Sequence, residues 1–238
     1  MIESINNEKI KNYAKLNDKK YRKESRLFIA AGTHLVSEAL SEGLVKEILL
    51  LNGEENIYGN VTYVSEDVLK KVSDLTTNPK VVAICHIPQN TKIEGNIIIL
   101  DDIKDPGNLG TIIRSAVAFN YKTIILSKET VDVYNPKVVR ATEGMLFKVN
   151  ILIEDLEEVI PKLKVLGYKI YGTDVHNGNI VKKDDNLHAL IIGSEAFGMN
   201  DKLNDLCDEN LYIKMNKKCE SLNAGVSASI LMYELNGR

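Results

Sequence analysis

A continuous apolar run, Asn96–Leu100, restricts the fold of this chain more than any other feature of its sequence. A strand with apolar residues at consecutive positions is buried on both faces, which is typical of a parallel sheet covered by helices. A polar loop begins at Asp101, and apolar residues then recur at the spacing of one helical face. These residues are Leu109, Ile112, Ile113, Ala116 and Val117. The sequence therefore predicts a strand, a loop and a helix of an α/β domain.

Alternating strand and helix patterns on both sides of this unit predict two domains. The first covers residues 1–88, a polar linker covers 89–95, and the second domain covers 96–238. The predicted strands are 27–30, 45–51, 61–64, 81–86, 96–100, 123–126, 147–153, 169–173, 188–192 and 211–215. The predicted helices are 34–41, 66–72, 109–117, 135–144, 155–166 with a kink or restart at Pro161, and 224–235.

The composition excludes several classes of protein. A formal charge of −3 gives no overall basic character, so nucleic-acid binding must depend on local patches. Three widely separated cysteines and no histidine cluster argue against a disulfide framework and against a metal site. His176, a lone histidine in a charged loop, is expected to be exposed rather than catalytic. Because the sequence has no secretion signal and no apolar segment of membrane-spanning length, we expect a cytoplasmic protein.

The most basic stretch of the chain is residues 1–26. Its lysines and arginines fit either a solvated helix face or a surface that neutralises RNA phosphates, and the sequence favours neither. On the short helix after Pro136, Arg140 favours phosphate contact. The candidate RNA-binding residues are Lys19, Lys20, Arg22, Lys23, Arg26 and Arg140.

Three polar loops follow predicted strands of the second domain. Asn108 and Arg114 accompany the first, 193–199 forms the second, and Ser221 and Asn223 lie in the third. A glycine-containing turn before a helix favours anion binding, and ligands bind at this edge of open α/β sheets, although glycines also serve tight turns. The second loop lacks the lysine and Ser/Thr of a P-loop, and no strand precedes a dinucleotide fingerprint.

Three segments, in this order and at this spacing, resemble the signature of the SpoU/TrmH family of RNA 2′-O-ribose methyltransferases. They are Asn108–Ala116, Ile192–Gly198 and Ile213–Asn223. Each segment alone is weakly specific, whereas the three together are a strong match. Upstream, Phe28–Val36 resembles part of the small RNA-recognition domain that precedes many such catalytic domains.

The resemblance implies a small N-terminal α/β RNA-binding domain and a C-terminal parallel-sheet α/β domain whose last segment is threaded into a deep trefoil knot. It also implies S-adenosylmethionine as cofactor and no metal. The implied substrate is structured RNA, with ribosomal RNA favoured. The implied assembly is a homodimer with the site near the subunit interface. The implied cofactor-binding residues are Thr173, Gly193, Ser194, Glu195, Gly198, Ile213, Met215, Ser221 and Leu222.

The implied catalytic residues are Arg114, Asn108, Glu195, Ser221 and Asn223. The family often assigns the role of base to the arginine, but a guanidinium has a pKa above about 12 and is hard to deprotonate. We therefore expect Arg114 to clamp an RNA phosphate and to assist proton loss through it. Asn108 is expected to order Arg114 and the RNA backbone, and Glu195 to fix the second loop or Arg114. Ser221 and Asn223 are expected to hold the ribose or to order the third loop.

Departures from the family pattern keep open one alternative to an active enzyme, an RNA-binding protein, and a related knotted fold offers another. Ala31 stands where glutamate is common, Ala196 where glycine is usual, and Ala224–Val226 where valine, serine and valine usually follow the asparagine. The alternatives to an active 2′-O-methyltransferase are an RNA-binding protein of the same fold without catalysis and a base-methylating knotted enzyme.

Overall fold

The computed structural model describes residues 1–89, 92–174, 178–216 and 218–236. His176 and part of the expected linker lie outside the described residues. The chain forms two compact units. The first comprises Met1–Gln89 and Asp132–Lys148, and the second comprises Asn90–Val131 and Val149–Arg238.

The first unit is built on a four-stranded mixed sheet of order β1-β4-β2-β3. Its strands are β1 (Leu27–Ala31), β2 (Val45–Leu51), β3 (Thr62–Val64) and β4 (Val81–His86). Its helices before residue 90 are α1 (Glu8–Ala14), α2 (Lys19–Ser25), α3 (Thr33–Ser41) and α4 (Glu66–Ser73). Apolar residues of α1, α4, β1, β2 and β4 form one buried core.

The second unit is built on a sheet in which every strand pair within the described residues is parallel. Its order is β7-β6-β5-β10-β8-β11-β9. The strands are β5 (Asn96–Leu100), β6 (Tyr121–Leu126), β7 (Asn150–Ile153), β8 (Lys169–Thr173), β9 (Asn179–Ile180), β10 (His188–Ile192) and β11 (Glu209–Tyr212). The helices are α5 (Pro106–Ala118), α7 (Leu156–Val165), α8 (Asp201–Asp205) and α9 (Ala224–Asn236). Because the strands are parallel, their carboxyl ends lie at one edge of the sheet.

The segment Asp132–Lys148 packs in the first unit, although the sequence prediction included it in the domain 96–238. It contains α6 (Pro136–Ala141) and a 3₁₀ helix, Met145–Lys148. The ring of Phe28 on β1 lies 5.1 Å from that of Tyr134 and 5.8 Å from that of Phe147. Burial of these aromatic rings against β1 explains the placement of the segment.

The predicted α/β class, with a parallel-strand sheet and a small N-terminal domain, is confirmed. The strands β2, β4, β5, β8 and β10 have the predicted bounds. Helix α7 lies within the predicted helix 155–166, and it forms without the restart that was one of the two outcomes expected at Pro161. It continues through Pro161 because the surrounding residues Val159, Ile160 and Leu163 are buried in the core. Within the part of the chain that the structure describes, no helix is long and apolar enough to span a bilayer.

Candidate active site

Loops from three strands meet at the carboxyl edge of the parallel sheet. The first follows β5, the second follows β10, and the third follows β11. The backbone amide of Asp101 donates to the carbonyl of Ile192 at 2.9 Å. The amide of Asn200 donates to a carboxylate oxygen of Asp101 at 3.1 Å. The first and second loops are therefore held side by side.

The side chain of Asn108 connects all three loops. Its Nδ2 donates to Glu195 Oε1 at 2.9 Å, and its Oδ1 accepts from Asn223 Nδ2 at 2.7 Å. Glu195 also accepts the backbone amides of Lys104 at 3.2 Å and Asp105 at 3.3 Å. Since an ionised carboxylate only accepts, Glu195 fixes the orientation of both asparagine amides. Asn108 therefore orders Glu195 and Asn223, not Arg114 as the sequence predicted.

The N-terminus of α5 places Asn108 in the first helical turn. Asp105 is the N-cap, and its Oδ1 accepts the Asn108 amide at 2.8 Å. Pro106 occupies the start of the helix, where its missing amide costs nothing. The sequence prediction did not single out Asp105, although aspartate followed by proline is a recognisable helix-start signal.

Glu195 carries a negative charge in this arrangement. Burial raises the pKa of its carboxyl, but the hydrogen bonds from Asn108 and from backbone amides outweigh burial and hold the pKa below its ordinary value. Asp101 shows the opposite result, because burial raises its pKa more than the hydrogen bond from Asn200 lowers it. The ionised form of Glu195 is thus stabilised by the groups that it orders.

The second loop is a tight turn that folds back on the end of β10. Ser194 and Gly198 exchange two backbone hydrogen bonds of 2.9 Å, and Gly198 has a φ of +72°. A Cβ at Gly193 would lie 2.1 Å from the amide nitrogen of Met199 and 2.2 Å from the carbonyl carbon of Gly198. Only glycine fits at position 193, because the backbone of the loop occupies the space of a side chain.

The third loop ends at Asn223, which caps α9. Its Oδ1 accepts the backbone amide of Val226 at 3.2 Å, while its Nδ2 donates to Asn108 Oδ1. Ser221 is exposed, and its carbonyl accepts the thiol of Cys219 at 3.2 Å. The hydroxyl of Ser221 bonds to no residue that the structure describes, so it is not part of the network.

Helix α9 packs closely on α5. A Cβ at Gly225 would lie 3.1 Å from the side chain of Thr111. The hydroxyls of Ser115 and Ser229 are 2.7 Å apart. Small residues on α9 thus bring its start within reach of Asn108.

Arg114 is exposed on α5. Its side chain forms no hydrogen bond or ion pair with any residue that the structure describes. Its guanidinium is therefore available to a ligand.

Backbone groups at this edge are also available. Ile213, Met215 and Leu222 are half-buried, and their amides and carbonyls bond to no residue within the described ranges. By contrast, the hydroxyl of Thr173 donates to the carbonyl of Ile191 at 3.1 Å. These half-buried backbone groups are therefore open to water or to a bound polar ligand.

The predicted RNA-binding residues all lie in the first unit, and one of them is corrected. Arg22 is 3 % exposed, its Nη2 and Nε lie 2.6 and 2.9 Å from Asp132 Oδ2, and its Nη1 donates to the carbonyl of Leu16 at 2.6 Å. This guanidinium is used inside the unit and is not available to RNA. Arg140 is half-buried, and the residues that are exposed are Lys19, Lys20, Lys23 and Arg26.

Two family models match the chain. Residues 95–233 match the SpoU rRNA Methylase family, and residues 7–83 match the MRM3-like substrate binding domain. The first match covers more than half of the chain. The chain belongs to the SpoU rRNA methylase family. The family predicted from three segments is confirmed, and with it an RNA 2′-O-ribose methyltransferase that uses S-adenosylmethionine.

Similar proteins cover nearly the whole chain. A Bacillus subtilis protein, 23S rRNA (guanosine(2553)-2'-O)-methyltransferase RlmP, is 36 % identical over 246 aligned residues, with 99 % of each chain covered. The structure of an AdoMet-bound rRNA methyltransferase from Sinorhizobium meliloti is 28 % identical with a TM-score of 0.87, covering 98 % of this chain and 95 % of that chain. AviRb from Streptomyces viridochromogenes in complex with the cofactor AdoMet is 26 % identical with a TM-score of 0.83, covering 96 % of each chain.

The residues at the sheet edge fit S-adenosylmethionine. Its adenine and amino-acid groups require polar partners, which the backbone groups of Ile213, Met215 and Leu222 can supply. The close approach of the second loop at Gly193 gives the site a backbone wall without side chains.

Proposed function

We propose that the chain methylates a ribose 2′-hydroxyl of large-subunit ribosomal RNA. The observation that carries this proposal is the hydrogen-bonded series Glu195–Asn108–Asn223, which takes one residue from each signature segment. The Bacillus subtilis relative, named for this reaction on 23S rRNA, supports the substrate class. Because that relative is bacterial, it also supports action in the cytoplasm, where ribosomal RNA is made.

S-Adenosylmethionine supplies an electrophilic methyl group. The backbone of Ile213, Met215 and Leu222 would hold it, together with Gly193, Ser194, Glu195 and Gly198 of the second loop. The part of Thr173 that can contribute is its backbone, since its hydroxyl is bonded to Ile191. Ser221, exposed in the third loop, would reach either the cofactor or the ribose.

Arg114 would bind the RNA phosphate next to the acceptor ribose. A guanidinium binds phosphate through two parallel hydrogen bonds and stays charged while it does so. The phosphate oxygens are then positioned to take the proton that leaves the 2′-hydroxyl. Most of the rate gain comes from holding the hydroxyl in line with the methyl group.

Glu195 and Asn108 have a positioning role. Glu195 fixes the amides of Lys104 and Asp105 and thereby the loop before α5. Asn108, which is bonded to Glu195, in turn fixes Asn223 and the start of α9. Gly225, which stands where the family usually has serine, agrees with an ordered site, because a Cβ there would press on Thr111.

A homodimer and a trefoil knot are further parts of the proposal, and family membership supports both. On α9, Val226 and Tyr233 are 44 % and 39 % exposed among small residues, which suits contact with a second copy. The exposed residues Lys19, Lys20, Lys23 and Arg26, with Arg140, would bind RNA phosphates in the first unit.

The proposal is tested by mapping the product. Purified protein is incubated with labelled S-adenosylmethionine and ribosomal RNA from a strain that lacks this chain, and the RNA is then digested and analysed by mass spectrometry. We expect the label on a ribose 2′-oxygen of 23S rRNA. Label on a base would support the base-methylating alternative. No transfer, together with no cofactor binding by calorimetry, would support an RNA-binding protein without catalysis.

A further inference from the structure

Phe197 is 92 % exposed, more than any other large apolar side chain of the described residues. It lies two positions after Glu195 in the second loop. On the basis of the proposed function, we propose that Phe197 stacks on an unpaired nucleobase of the RNA substrate and so positions the acceptor nucleotide.

The exposure of the ring does not come from a loose loop. Ser194 and Gly198 exchange two backbone hydrogen bonds around it, and the amide of Phe197 itself donates to Ser194 Oγ at 3.3 Å. On the C-terminal side of Phe197, Met199 packs against the core of the second unit. The backbone is held on both sides of Phe197 while the ring projects into solvent.

The surroundings of the ring favour a nucleobase over a protein surface. Its exposed neighbours in the loop are Glu195, Ala196, Gly198 and Asn200. A subunit interface needs a contiguous apolar core, which these residues do not supply. A base offers a flat π face to one aromatic ring and polar edges to the groups around it.

The turn that carries Phe197 is joined to the residues of the candidate active site. The carboxylate of Glu195 is bonded to Asn108, so the turn that presents Phe197 is fixed to the network of the site. A base held there belongs to the part of the RNA that contains the acceptor ribose. Unpaired RNA is commonly recognised in this way, with splayed bases stacked on aromatic side chains.

A fluorescence experiment tests the contact directly. The sequence contains no tryptophan, so the F197W variant reports on this position alone. We expect 23S rRNA from a strain lacking the chain to quench its emission to saturation. An emission change with S-adenosylmethionine alone would place the ring in the cofactor slot. A change on protein dilution would place it in a subunit interface. Either result, or no response to RNA, would overturn the proposal.

Methyl-transfer kinetics separate stacking from apolar contact. Loss of one base stack in Phe197→Ala should lower kcat/KM for RNA by about 5- to 150-fold, mainly through KM. Phe197→Tyr should restore most of this loss, whereas Phe197→Leu should not, because leucine has no π face. If the leucine variant matches the natural protein, stacking is refuted.

A matched control comes from Val165, an apolar side chain at the end of α7 that is 89 % exposed. Val165→Ala should transfer methyl groups at the unchanged rate. Cofactor affinity by calorimetry should be the same in every variant, which shows that the site is folded. If the natural protein binds RNA but transfers no methyl group, the proposed function fails, while the quenching of F197W still decides the stacking contact.

Discussion

Asn223 Nδ2 donates to Asn108 Oδ1 at 2.7 Å, across 115 positions of the chain. The same asparagine accepts the amide of Val226 with its Oδ1 and so caps α9. One side chain therefore joins the first turn of α5 to the start of α9. Its two roles use different atoms, which makes them separable by substitution.

Asn223→Asp should reduce methyl transfer while preserving the fold. Aspartate is as good an N-cap as asparagine, so we expect the free energy of unfolding to change by less than about 1 kcal/mol. It cannot donate to Asn108 Oδ1, and the misplaced third loop should lower the single-turnover rate about 100-fold. Asn135→Asp makes the same exchange at the N-cap of α6 and should leave the rate unchanged. An unaltered rate in the Asn223 variant would remove the contact from the account.

Gly193→Ala should disrupt cofactor binding. The new methyl group would lie 2.1 Å from the amide nitrogen of Met199, so the second loop must move. We expect a loss of about 1 to 3 kcal/mol in stability from overpacking and a clear loss of S-adenosylmethionine affinity by calorimetry.

The control for Gly193 is Gly167, which has a φ of +88° and no described atom within 4 Å of the position that a Cβ would take. Gly167→Ala should cost about 1 kcal/mol through backbone strain alone and should bind the cofactor normally. Equal cofactor affinity in both variants would show that the clash is relieved without effect on the site.

Arg22 and Lys23 are neighbours on α2 and should give opposite results. Arg22→Met leaves Asp132 without its buried partner and should lower the free energy of unfolding by about 3 to 5 kcal/mol. Lys23→Met, at an exposed position, should change stability by no more than about 0.5 kcal/mol. It should weaken RNA binding and reduce the slope of log affinity against log salt by about 1. Denaturant titration and RNA binding at several salt concentrations measure both effects.

The contact between Arg22 and Asp132 also shows what the sequence does not reveal. The bounds of β5 and β10 follow from local information, because every interior position is apolar. A charged residue among other charged residues is predicted to be exposed. Arg22 is buried because it pairs with Asp132, 110 positions away in the chain. The same holds for the segment Asp132–Lys148, whose packing depends on Phe28 rather than on its own pattern.

The sequence predicts residues that the structure brings together at the candidate site, but it does not predict their contacts. Motif resemblance named Asn108, Glu195 and Asn223, and the parallel sheet explains why their loops converge. Which side chain bonds to which depends on distances of a few tenths of an ångström. Asn108 was expected to order Arg114, yet the side-chain hydrogen bonds of Asn108 go to Glu195 and Asn223.

His188 should make stability depend on pH. It is fully buried, with Nε2 at 2.7 Å from the Tyr121 hydroxyl and Nδ1 at 2.9 Å from the Asn186 carbonyl. Burial lowers its pKa below the ordinary value, although the contact with Asn186 and the charge of Asp184 oppose the shift. The unfolded chain therefore takes up a proton near pH 6.5 that the folded chain does not.

The contribution of neutral, buried His188 to the free energy of unfolding is therefore fully present above about pH 6.5. It is lost as the pH falls toward the pKa of His188 in the folded chain, and the free energy of unfolding then changes with a slope of at most about 1.4 kcal/mol per pH unit. His188→Gln should be less stable at neutral pH but should lose this slope in denaturant titrations between pH 5 and about 7.5. His34→Gln, at an exposed position, should keep it. A slope that persists without His188 would assign the effect to another group.

The single-turnover rate of methyl transfer to 23S rRNA by Arg114→Ala tests whether this exposed arginine on α5, the helix whose first turn holds Asn108, clamps the phosphate next to the acceptor ribose. We predict unchanged cofactor affinity and a rate at least about 100-fold lower, with partial recovery in Arg114→Lys, since an ammonium binds phosphate as a point charge. Lys162→Ala, at an exposed position on α7, should have the natural rate. If an Arg114→Ala protein binds S-adenosylmethionine and transfers methyl groups at the natural rate, Arg114 is not the phosphate clamp.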